Sequence, residues 1–84
     1  MQYPNQADLM RRARKRKKLT TRGMAAELGV TNAFIAHIEA GKRSIPYEVM
    51  DLFCEITGYS LTTVKRAAVK DYAHRFDQHL DERG

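Results

Sequence analysis

Cysteine is almost missing from this sequence, with Cys54 standing alone. A single thiol excludes an internal disulfide and a paired-cysteine metal knuckle, and it fits a reducing compartment such as the cytoplasm. Its plain role is that of a small hydrophobe on a helix face. Long apolar runs are missing too: no segment nears the roughly 18 residues of a membrane span. The basic run that begins at Arg11 is not followed by the apolar stretch of a leader peptide. Clean apolar–polar alternation is absent, which argues against a sheet. There is no glycine-rich phosphate loop, no nucleophile elbow and no HExxH, and His37, His74 and His79 form no spaced set with the acids. The expectation is a chain without catalysis, cofactor, metal or membrane.

Acidic residues are scarce in one half only. Residues 1–44 hold ten Lys/Arg against Asp8, Glu27 and Glu39, whereas residues 45–84 hold five against seven acids. The whole formal excess of +5 therefore lies in the first half. Such asymmetry suggests one face that meets a polyanion, most commonly nucleic acid, with an anionic membrane as the rival. A merely solvated basic helix is the bland alternative.

What recurs along the chain is apolar residues at spacings of three and four, which predicts an all-α fold in a single domain, 1–84. Asn5 reads as the cap of a first helix from about Gln6 to Lys17, with Leu9, Met10 and Ala13 inward. Thr20 caps a short second helix, Thr21 to Leu28, stopped by Gly29. Thr31 caps a third, Asn32 to Ala40, and Gly41 fits the left-handed position after it. A fourth runs from about Pro46 to Thr57 with Val49, Leu52, Phe53 and Ile56 on its apolar face. Ser60 caps a fifth, extended helix over about 60–80. On it Leu61, Val64, Ala68, Tyr72, Phe76 and Leu80 read as one stripe.

The informative stretch is LTTRGMAAELGVTNAFIAHIEAGKR, Leu19 to Arg43. Two short helices meet at a tight turn around Gly29, Val30 and Thr31. Ala25 lets them cross closely, and Ile35 and Ile38 pin the second of them to a core. That arrangement holds one helix proud of the surface. The stretch resembles the Cro/phage-repressor (lambda repressor-like, XRE) helix-turn-helix family. The resemblance rests on Leu19, Thr20, Met24, Ala25, Leu28, Gly29, Val30, Thr31, Ile35, Ile38, Glu39, Gly41 and Lys42. The trailing I-E-x-G-K is its most specific part. The helix-turn-helix spans about 20–41, and the likeness extends more weakly over residues 7 to 60. Two positions depart from the family pattern: Thr21 stands where a longer glutamine is usual, and Gly23 sits in a first helical turn.

The resemblance implies a five-helix lambda repressor-like domain that binds double-stranded DNA and regulates transcription, with repression as the default mechanism. Asn32, Ala33, Ala36 and His37 face away from the core side of the third helix, where the family reads bases; asparagine suits adenine, and a methyl suits thymine. Thr21, Arg22, Thr31, Lys42 and Arg43 are placed for phosphates, joined by Arg11, Arg12, Lys15 and Lys18 from the basic first helix. Arg14 and Glu39 resemble a family ion pair tying the first helix to the third. Val64, Ala68, Tyr72, Phe76 and Leu80 are assigned to homodimerisation, because the core of so small a domain does not cover the whole stripe. A protein-binding adaptor and an antitoxin with a toxin partner are the alternative roles of the same fold.

Overall fold

A computed structural model describes residues 1–83, with side-chain surroundings through Leu80. Five helices follow one another: α1 (Pro4–Arg16), α2 (Thr21–Leu28), α3 (Asn32–Glu39), α4 (Tyr47–Thr57) and α5 (Leu61–Arg83). No strand occurs among the described residues, and the fold is all-α as the spacing predicts. One core joins Met10 and Ala13 of α1, Met24 and Leu28 of α2, Ile35 and Ile38 of α3, Phe53 of α4 and Val64 of α5. Three threonine and serine caps stand where the sequence places them. The Thr20 hydroxyl accepts from Gly23 N at 3.0 Å, that of Thr31 from Phe34 N at 3.1 Å, and that of Ser60 from Thr63 N at 3.1 Å.

The start of α1 differs from the sequence reading. Pro4 is its first residue and Asn5 lies inside it, so Asn5 is not a cap. Proline suits that position because the first-turn N–H it lacks has no intrahelical partner anyway. The cap comes from the far end of the chain. Asp71 on α5 accepts from the backbone N–H groups of Asn5 at 2.8 Å and Gln6 at 2.9 Å, and from Asn5 Nδ2 at 2.9 Å. A carboxylate at a helix N-terminus meets both the orphan donors and the positive end of the helix dipole. Asp71 thereby fixes where α5 lies along α1.

The apolar faces of α4 and α5 also need correction. On α4, Phe53 is buried, but Leu52 points outward and is 38% exposed, while Met50 and Cys54 pack against the core. On α5 the single stripe splits. Val64 is wholly buried in its own chain's core and is not a dimerisation residue, whereas Tyr72, Phe76 and Leu80 are exposed and Ala68 is half-buried. The cause is geometric. A step of four residues overshoots a helical turn by about 40°, so four such steps carry Leu80 about 160° around the helix from Val64.

Candidate nucleic-acid interface

The turn between α2 and α3 is built by Gly29, which closes α2 in the left-handed conformation at φ 69°. A β-carbon there would touch nothing, so the backbone angle alone calls for glycine. Val30 N then reaches back to the Ala25 carbonyl at 2.9 Å, and Val30 packs against the core. Ala25 is buried where the two helices cross. The unusual Gly23 has a local reason as well. A β-carbon there would come within 3.2 Å of Leu19 Cδ2, so the missing side chain leaves room for Leu19 against the core.

α3 is held from behind. Arg14 Nε and Nη2 grip the Glu39 carboxylate at 2.7 and 3.0 Å, and Arg14 Nη1 donates to the Leu19 carbonyl at 3.0 Å. The bond to Glu39 raises the pKa of Arg14 above its ordinary value, against the opposing effect of burial. A two-pronged guanidinium–carboxylate bond sets orientation as well as distance. The expected pair of Arg14 and Glu39 is therefore present, and it couples α1, the α1–α2 loop and the end of α3. With Ile35 and Ile38 fully buried, the opposite side of α3 faces out, and Asn32, Ala33, Ala36 and His37 are all exposed on it.

The expected phosphate contacts divide into groups. Thr31, Arg22, Lys42 and Arg43 are exposed around α2 and α3, while Thr21 is half-buried. The Arg43 guanidinium lies 4.3 Å from the centroid of the Phe34 ring, which anchors it beside α3. An open cleft of about 490 Å³ at that end of α3 is lined by Tyr3, His37, Lys42, Arg43 and Ser44. Tyr3 and Ser44 were not legible as interface residues in the sequence. Tyr3 arrives because the backbone N–H groups of Gln2 and Tyr3 both donate to the Gly41 carbonyl, at 3.0 and 3.1 Å.

The basic run on α1 is largely used by the fold. Arg11 Nη2 donates to the Glu39 carbonyl at 2.8 Å, Arg14 makes the fork, and Arg16 Nη2 donates to the Thr57 carbonyl at 2.6 Å. Arg11 and Arg16 thus satisfy orphan carbonyls at the C-terminal ends of α3 and α4. Arg12 pairs with Asp8 at 3.2 Å and lines a groove against α5, on the side of α1 away from α3. Lys15 and Lys18 remain exposed. Only part of the run is thus free for DNA. Lys42→Gln and Arg43→Gln are each expected to flatten the slope of log affinity against log salt by about 0.9. Arg12→Gln should leave the slope unchanged in the same titration.

Comparison with known families gives the class of the chain. A family model described as a helix-turn-helix domain matches residues 7–76. The chain belongs to the helix-turn-helix family. It is a DNA-binding protein of the regulator class, and the helix-turn-helix match reaches from α1 well into α5. No curated protein and no solved structure matches the chain. Among the described residues, no helix of this helix-turn-helix protein is long and apolar enough to cross a membrane. No group of three His, Cys, Asp or Glu side chains among them is placed to hold a metal ion.

Proposed function

We propose that this helix-turn-helix protein is a sequence-specific transcriptional regulator of the Cro/phage-repressor type. It acts as a repressor on an operon of phage, plasmid or toxin–antitoxin kind, in the cytoplasm and without catalysis. A homodimer sits on a palindromic operator with α3 of each copy in the major groove. One observation carries this reading. The exposed face of α3 presents a short amide, two methyls and an imidazole, while the Arg14–Glu39 fork and the buried isoleucines fix the helix behind them. An amide next to methyl groups suits A·T-containing steps, since asparagine can pair twice with adenine and alanine can meet the thymine methyl. The Cys54 thiol offers no competing chemistry, because burial and the nearby Asp51 push its pKa up, away from the thiolate.

Asn32→Ala tests the reading. It should weaken binding to a selected operator by about 1–3 kcal/mol and relax preference at one base pair, with little change on random duplex. Equal losses on both DNAs would make Asn32 a phosphate or structural residue. Undiminished operator binding would remove Asn32 from the interface.

A further inference from the structure

The exposed face of α5 carries more than the stripe named from the sequence. Val69, Tyr72, Phe76 and Leu80 are 66%, 69%, 50% and 50% exposed, and together they form one apolar strip along the outer side of α5. Tyr72 and Phe76 stack on each other, with ring centroids 6.4 Å apart, at its centre. Charge is distributed unevenly beside this strip. Arg66, Lys70 and Asp77 are spaced by four and seven residues, so they share one flank of the helix. Arg66 and Lys70 line the groove between α1 and α5, together with Arg12 and Asp8. Further along the sequence, Asp81 follows Asp77 by four residues. The flank is therefore basic towards the start of α5 and acidic towards its end.

We infer that α5 of a second copy lies antiparallel along this strip, with the acidic end of each helix on the basic flank and α1–α5 groove of the other. The inference rests on the dimer proposed above and adds its orientation. In an antiparallel pair like flanks meet, so Lys70 faces the second copy's Asp77. That pairing and its symmetry mate are centred between Ala73 and His74, and Tyr72 and Phe76 bracket that point. Hydrophobic and charged contacts thus agree on one register. A parallel pair sets the basic halves side by side and the acidic halves side by side, at a cost in affinity. Within one chain Lys70 and Asp77 are two turns, about 10 Å, apart along the axis, too far to pair with each other.

Sedimentation equilibrium on the full chain tests the arrangement by charge exchange. Lys70→Asp and Asp77→Lys are exposed-site changes, and each alone should weaken the dimer about tenfold, because the two-fold axis makes every mismatch occur twice. The double exchange should restore the dimer to within about threefold of wild type. Orientation is read separately from Leu80→Cys in a Cys54→Ala background. Antiparallel helices hold the two position-80 residues about 20 Å apart, far beyond the roughly 7 Å reach of a disulfide, so oxidation should not cross-link the dimer. A dimer that ignores the exchange, or one that cross-links through position 80, overturns the antiparallel pairing and leaves the dimer standing. A wild-type monomer at tens of micromolar overturns both.

Discussion

Asp71→Ala should lower the stability of the fold by about 3 kcal/mol, a large share of what a domain of this size possesses. The side chain is wholly buried and accepts three hydrogen bonds from the first turn of α1, two of them from backbone N–H groups. Alanine leaves those N–H groups without their acceptor, and that of Gln6 is buried. A loss of that size corresponds to roughly 12–24 °C in midpoint temperature, read by circular dichroism on heating. Asp71→Asn keeps the shape but loses the charge and one acceptor oxygen, so its loss should fall between those of alanine and wild type. A change within about 0.5 kcal/mol for alanine is the range of an ordinary surface substitution and would show that Asp71 does not anchor α5.

Phe76→Asp together with Leu80→Asp should produce a folded monomer that binds its operator at least about a hundredfold more weakly. Both residues are half exposed and lie outside the core cluster, so unfolding should hardly change. The loss comes from separating two recognition helices. A single module covers only about 600–1,000 Å² of its surface on DNA, and joining two converts the second encounter into an intramolecular one. Sedimentation and operator titration on the same samples provide the measurement. Unchanged operator affinity in a demonstrably monomeric variant would mean that one module suffices.

Local signals were the legible part of this chain. Thr20, Thr31 and Ser60 each cap the helix that follows, and Gly29 takes the left-handed turn, because caps and turns depend on residues a few positions apart. The Arg14–Glu39 fork was available only through the family resemblance. What escaped was long-range. Asp71 sits mid-helix, and its partners lie 65 and 66 positions away, so no local pattern announces it as a cap. Asn5 resembles a cap, but Pro4 takes the first helical position and places Asn5 inside α1. Steps of four along the sequence join Val64 to the surface stripe and pass over Val69, but they drift around the helix, so Val64 is buried and Val69 exposed. The basic run looked like a phosphate-binding surface, since charge alone does not separate an arginine facing DNA from one closing a helix end. Arg11 and Arg16 do the latter.

The central claim is that this helix-turn-helix protein reads duplex sequence through the exposed face of α3. Selection of bound sites from random double-stranded DNA, run in parallel with wild type and Asn32→Ala, tests it most directly. The account predicts a palindrome for wild type, with half-sites about one helical turn apart, and relaxed preference at one symmetric base pair for the variant. Recovery of random sequence by the wild-type protein, at a salt concentration where it still binds DNA, would contradict it.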